Sequence, residues 1–274
     1  MNINSIISEI EKTDPEVYEK MDGRRDAMKN FARFSSKVAM ASLPLALGSM
    51  FKKAYGQTPS TIIDVLNFAL TLEYIESNFY IKGLATAGLV PAGPGMNALM
   101  TIRDHEAAHV TFLRSAITAS GGTPVTYTAA QFDFTAHGTF PDVFSNYDTF
   151  LAVAQAFEDT GVRAYKGQAS NLISNNDVLT AALNIHSVEA RHASHIRQMR
   201  KARGVNVKPW ITGNISGIGA PANGNYAGEE ITTQAGINIV NLNGFSISAD
   251  AASEAFDEPL TKAQVLTLVT PFFA

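Results

Sequence analysis

Cysteine is absent from the 274-residue chain, which excludes disulfides, thiolate metal sites, iron–sulfur clusters and cysteine nucleophiles together. Charge is sparse: 17% of residues are charged and the net charge is -4. With a pI near 5.9 and no basic stripe interleaved with aromatics, nothing points to a nucleic-acid partner. No apolar run is long enough to span a bilayer comfortably. The apolar fraction is nevertheless 46%, that of a folding chain and not a disordered one. The length suits one large domain with appendages, or two small ones. Any metal must be held by carboxylates and imidazoles, a ligand set that suits iron, manganese and zinc.

Three regions follow from the composition: residues 1–57, 58–208 and 209–274. The first opens with a polar, rather acidic leader. Arg24-Arg25-Asp26-Ala27-Met28-Lys29 follows, then the apolar run Val38 to Met50 and Lys52-Lys53. The paired arginines and the short apolar run resemble a twin-arginine export signal, although Ala27 stands where an aromatic residue is commoner. Export to the periplasm or cell envelope is the expectation. The competing reading is an amphipathic helix packed on the rest of the chain, which leaves the protein cytoplasmic.

Residues 58–208 contain four stretches of helical periodicity, at about Ser60–Ala87, Met96–Ala119, Tyr147–Ser170 and Asp177–Arg203. Gly88, Gly121-Gly122 and Gly204 mark stops. The first and last connections are short, whereas Thr123 to Asn146 is long and rich in Thr, Phe and Asp. Short connections join antiparallel neighbours, and a long one can cross a whole bundle. The expected fold class is all-α, a four-helix bundle with one long crossover between helices 2 and 3. Residues 209–274 form a low-charge extension whose middle, about 211–252, has no decisive pattern. Asp257-Glu258-Pro259 reads as the start of a last short helix from Leu260 to about Val269.

Glutamate is scarce in the bundle region: Glu73, Glu76, Glu106, Glu158 and Glu189 are all there are, and every expected helix carries at least one. Helix 2 holds Glu106-Ala107-Ala108-His109, and helix 4 holds Glu189-Ala190-Arg191-His192. Residues three apart share a helix face, so a carboxylate and an imidazole can reach one ion. With 13 Glu and 6 His in the chain, chance supplies roughly 0.3 such matches, so a single one means little.

The duplication means more. Glu73 and Tyr80 recur 85 positions later as Glu158 and Tyr165, and Glu106 and His109 recur 83 positions later as Glu189 and His192. Independent surface residues have no reason to keep such offsets. One inward glutamate from each of two helices and Glu-x-x-His from each of the other two is the requirement of a two-metal carboxylate bundle. The candidate ligands are therefore Glu73, Glu106, His109, Glu158, Glu189 and His192. Glu76 and His195, each three residues beyond a candidate, are extra candidates, while His105 and His186 read as structural. The glycine-rich stretch Gly213 to Gly224 follows no strand and is not a phosphate loop.

This pattern resembles the ferritin-like superfamily, most closely its bacterial desiccation-related branch. Members of that branch commonly carry an export signal and a tail segment similar to Asp257-Glu258-Pro259-Leu260-Thr261-Lys262. The resemblance implies that Glu106 and Glu189 bridge two metal ions, with Glu73, Glu158, His109 and His192 as terminal ligands. It also implies that Tyr80 and Tyr165 hydrogen-bond the ligating glutamates. Iron is expected ahead of manganese, and zinc also suits these ligands. The implied substrates are ferrous iron with oxygen, or peroxide, in stress protection. Ferroxidase, peroxidase and manganese-catalase-like chemistry all fit. A storage shell fits poorly with the long extension. From a different class comes a non-catalytic structural or interaction module with a metal-stabilised or empty site. Its extension, ending in the apolar Leu266 to Phe273, would meet a partner or a second copy of the chain.

Overall fold

The structure, a computed structural model, describes residues 60–274. The expected leader, arginine pair and apolar run of residues 1–57 lie outside the described residues. Four long helices dominate: α1 (Ser60–Ala85), α2 (Pro94–Ala119), α3 (Tyr147–Gln168) and α4 (Asn176–Ala202). Helix α1 pairs with α2 and α3 with α4, and α1 also lies against α3. The all-α bundle with a long crossover is thus the observed fold. No described helix is long and apolar enough to cross a membrane.

Local chemistry explains the ends of these helices. Asn146 caps α3 by accepting from the Asp148 and Thr149 amides, and Asn175 caps α4 by accepting from Val178 N–H at 3.1 Å. Gly121 and Gly204 follow α2 and α4 at φ 81 and 93, a conformation that side chains with a Cβ disfavour. Helix α1 carries buried apolar residues around most of its circumference, among them Ile62, Leu66, Leu70, Ile75 and Phe79. A helix apolar on all sides must be surrounded by protein. Every residue of α3 from Phe150 to Tyr165 is buried as well. These two helices form the inner pair.

The crossover is held by aromatics. Phe79 of α1 stacks on Phe150 at 4.6 Å and meets Phe134 and Phe144 of the crossover edge-on or tilted at 5.4 and 5.8 Å. The chain end returns to the same place. Phe272 packs on Phe157 at 4.7 Å, Asp133 N–H donates to Phe272 O at 2.9 Å, and Ala274 N–H donates to Gln131 O at 3.0 Å. The apolar C-terminal residues Val265, Val269 and Phe272 are therefore buried against the chain's own bundle.

The C-terminal extension is an irregular wrap. It contains a minimal hairpin of β1 (Thr233–Gln234) and β2 (Ile237–Asn238), a five-residue helix α5 (Ala249–Ser253) and α6 (Lys262–Val269). Helix α6 starts later than Asp257-Glu258-Pro259 suggested. Thr261 caps it, accepting from Gln264 N–H while the Gln264 side chain accepts from Thr261 N–H. The preceding residues are engaged by α3 instead: Leu260 N–H donates to Arg163 O, and Arg163 Nε donates to Glu258 O at 2.7 Å. Gly167 makes this approach feasible, since a Cβ there would lie 1.9 Å from Leu260 O.

Candidate metal centre

The four helices bring the six candidate ligands to one place in the middle of the bundle. Glu73 comes from α1, Glu106 and His109 from α2, Glu158 from α3, and Glu189 and His192 from α4. Each of the four glutamates has 0% exposure. Burying four carboxylates beside one another is costly unless cations or protons compensate them.

The ligand atoms fall into two groups, each with its members' atoms within 4.8 Å of one another. One is Glu73, Glu106, His109 and Glu189; the other is Glu106, Glu158, Glu189 and His192. Glu106 and Glu189 belong to both. Either group could hold a metal ion. His109 Nδ1 lies 3.0 Å from Glu73 Oε2, 3.3 Å from Glu106 Oε2 and 3.2 Å from Glu189 Oε1. His192 Nδ1 lies 2.9 Å from Glu106 Oε1 and 3.2 Å from Glu158 Oε2.

His109 Nδ1 is within hydrogen-bond reach of Glu73 and Glu106, but the rest of this proximity is not pairing. Glu106 Oε1, Glu158 Oε2, both Glu189 oxygens and His192 Nδ1 are buried without a hydrogen bond. Buried polar atoms are normally satisfied, and a cluster of lone-pair atoms that do not bond one another fits a cation in their midst. The donor set of carboxylate oxygen and imidazole nitrogen suits the metal pair that such a bundle implies.

The titration behaviour reflects the same crowding. Burial, then the charge of Glu73, pushes Glu106 up to about 7. Burial and the neighbouring carboxylates push Glu189 well above the usual range. Burial works against the charged form of His192, yet Glu158 and Glu106 raise it to about 11. His109 is likewise raised, the charge of Glu73 outweighing burial. Glu73 ends below its ordinary value because His109 more than offsets burial. Protons on the imidazoles and on some carboxyls thus compensate the charge where no cation does.

Around this centre two tyrosines cross over. Tyr80 of α1 donates to Glu158 Oε1 on α3, and Tyr165 of α3 donates to Glu73 Oε1 on α1. Each hydroxyl therefore serves the glutamate of the opposite helix, not the one two turns away on its own. Of the extra candidates, Glu76 is buried beside the cluster but belongs to neither group, and His195 is exposed on α4. Burial and the charges of Glu189, Glu106, Glu158 and Glu73 raise Glu76 well above a normal carboxyl.

Gly161 of α3, 85 positions after Glu76, faces these carboxylates. A Cβ there would come within 3.1 Å of Glu189 Oε2 and 3.2 Å of Glu76 Oε1. Glycine in mid-helix costs about 1 kcal/mol against alanine, so here it trades helix stability for room beside the centre.

A family model described as ferritin-like domain matches residues 61–202. The chain belongs to that family. No curated protein and no solved structure matches it. The matched span of this ferritin-like chain runs from the first turn of α1 to the end of α4 and contains all six clustered residues.

Sequence reasoning missed two features of the site. His105, read as structural, places Nδ1 3.0 Å from Nε2 of His192. His186 does stay apart from the centre, with Nδ1 3.0 Å from Val162 O. The second missed feature is the outer face of α3, where Asp159 meets Arg197, Gln155 meets Arg200 and Arg163 meets Glu229. Polar residues one turn apart in a largely apolar stretch, Gln155, Asp159 and Arg163, were the available signal.

Proposed function

We propose that this chain is a di-metal carboxylate oxidoreductase that oxidises ferrous iron or removes peroxide. The observation carrying the proposal is the pair of four-residue groups sharing Glu106 and Glu189, lined by buried lone-pair atoms that lack hydrogen bonds. Glu73, Glu106, His109 and Glu189 would hold one ion and Glu106, Glu158, Glu189 and His192 a second, with Glu106 and Glu189 common to both. Four carboxylates neutralise two divalent cations, and neutral imidazoles complete the set. Iron is favoured over manganese. Bound redox metals supply the electrons for reducing oxygen or peroxide.

The chain's own residues do the rest. The Tyr80 and Tyr165 hydroxyls hold one oxygen each of Glu158 and Glu73, leaving the other oxygen to face the centre. Both imidazoles present Nδ1 inward. Burial excludes bulk water from the glutamates. Tyr165 also lines an apolar cavity with Leu66, Phe68, Leu113 and Ala116, a lining that suits a small uncharged oxidant over an ion.

Elemental analysis of protein purified without chelators should give about two metals per chain, and less than about one would sink the proposal. Ferrous oxidation and peroxide consumption should both be measured against Glu106→Ala, Glu189→Ala. Equal rates would leave only the non-catalytic reading, in which the metals stabilise the bundle. Export belongs to the same proposal and rests on Arg24-Arg25 and the run Val38 to Met50. Arg24→Lys, Arg25→Lys should hold the protein in the cytoplasm. The desiccation-related branch is supported by the Asp257 to Lys262 segment.

A further inference from the structure

The repeat that builds the centre is broken behind one histidine. His192 turns Nδ1 toward Glu106 and Glu158, while its Nε2 lies 3.0 Å from His105 Nδ1. The ring centroids are 5.3 Å apart and the planes 17° from parallel, so the rings meet edge to edge through these two nitrogens. His105 directly precedes Glu106 on α2 and is exposed. At the offset of 83, the residue directly preceding Glu189 is Val188, whose side chain has no hydrogen-bonding atom. Among the described residues, His109 has no imidazole behind it, and its ring stands 6.3 Å from that of His192. The remaining supports match, one tyrosine on Glu158 and one on Glu73.

An imidazole that gives Nδ1 to a cation must carry its hydrogen on Nε2. A fixed acceptor for that hydrogen selects the tautomer and locks the ring before the cation arrives. Nδ1 of His105, 3.0 Å away, is placed to be that acceptor in the tautomer that carries its own hydrogen on Nε2. We propose that His105 is a positioning residue that tightens the cation position formed by Glu106, Glu158, Glu189 and His192 and leaves the neighbouring position unaffected. The inference rests on the di-metal reading above. It adds that the two positions are unequal and names the residue that makes them so.

The test is calorimetric titration of the metal-free full-length chain with Mn2+, for wild type, His105→Phe and His105→Asn. Partners of this kind are typically worth 10- to 100-fold in metal affinity. His105→Phe should weaken one of two binding steps by about that factor and spare the other; steps that overlap in the wild type should then separate. His105→Asn, whose Oδ1 takes the place of Nδ1, should recover most of the loss. Thermal unfolding of the metal-free forms should agree within a few degrees, because the side chain is exposed. Unchanged steps, equal weakening of both, or Asn behaving like Phe would overturn the inference while leaving the di-metal reading intact. A wild type that takes up no Mn2+ would overturn both.

Discussion

Two buried polar regions lie back to back on α3, and they are built on opposite principles. On the inner face, Glu158 joins three other glutamates and two histidines, an excess of acid in which half of the carboxylate oxygens lack a hydrogen bond. On the outer face, Asp159 accepts from Arg197 at 2.5 and 3.1 Å and from Tyr226 at 2.6 Å. Arg163 faces Glu229 at 2.7 Å and donates to Glu258 O, Asn225 O and Ala227 O. Arg200 donates to Gln155 and to Gly217 O. Opposite charges alternate there, and the guanidinium forks end on backbone carbonyls of the extension. Only Arg200 Nε and Glu229 Oε2 are left without a hydrogen bond in that outer network. A satisfied buried network fixes one arrangement of the chain, whereas an unsatisfied one with an excess of acid is a place for a counter-ion. One face is a clamp, the other a receptacle.

The comparison is broken most forcefully at the clamp. Arg163→Ala strands Glu229 without its cation and removes the guanidinium's bonds to Glu258 O, Asn225 O and Ala227 O, a loss of about 3–5 kcal/mol. At this chain length that lowers the thermal midpoint by very roughly 10 °C, with or without metal. A shift that depends on metal would show that the two faces are not separate.

The receptacle should respond to cations instead. Metal at about 1,000 times its dissociation constant adds about 4 kcal/mol to wild-type stability. In Glu106→Ala, Glu189→Ala that increment should vanish while the metal-free midpoint holds or rises, since two mutually repelling carboxylates are gone. A metal-free midpoint that falls sharply would mean the glutamates serve packing. Gly161→Ala is a smaller intrusion into the same space. Overpacking of this kind costs about 1–3 kcal/mol, and metal affinity should drop alongside stability in a paired titration and melt.

The pH dependence of the metal-free protein has a definite sign. Glu106 holds its proton up to about 7 in the fold and to an ordinary 4.5 in the unfolded chain. His192 holds its proton to about 11 against 6.5. In both windows the native state binds the extra proton, so stability falls as pH rises, from about 4.5 to 7 for Glu106 and from 6.5 to 11 for His192. Cations displace those protons, so the gap between loaded and metal-free midpoints should widen from pH 5 to 9. A constant gap would contradict the receptacle. Tyr165→Phe is the least intrusive change, removing one hydrogen bond to the buried Glu73 carboxylate, worth about 1.5–3 kcal/mol in a melt.

Much of this molecule was legible from one-dimensional spacing. Each four-residue Glu-x-x-His unit occupies a single turn, so one helix alone places its glutamate and histidine on one face. Duplication at near-constant offsets then relates two such faces. Glycine stops and Asn caps act over three or four residues, and the helix ends came out within about two residues of the structure. The extension offered no such signal, because its conformation is set by what it lies against. Residues 220–231 run as they do because Arg163 needs carbonyls and Asp159 needs the Tyr226 hydroxyl.

By itself, then, the sequence determined four helices, their order and the six residues that share their inner faces, since periodicity and local capping act within a helix. Only the tertiary structure decided who stands behind those residues. Tyr80 serves Glu158, 78 positions away, Tyr165 serves Glu73, 92 away, and His105 meets His192, 87 away. Such partners are chosen by which helix lies beside which and by its rotation, and a central cluster with an excess of acid becomes visible as a receptacle only once that packing is in place.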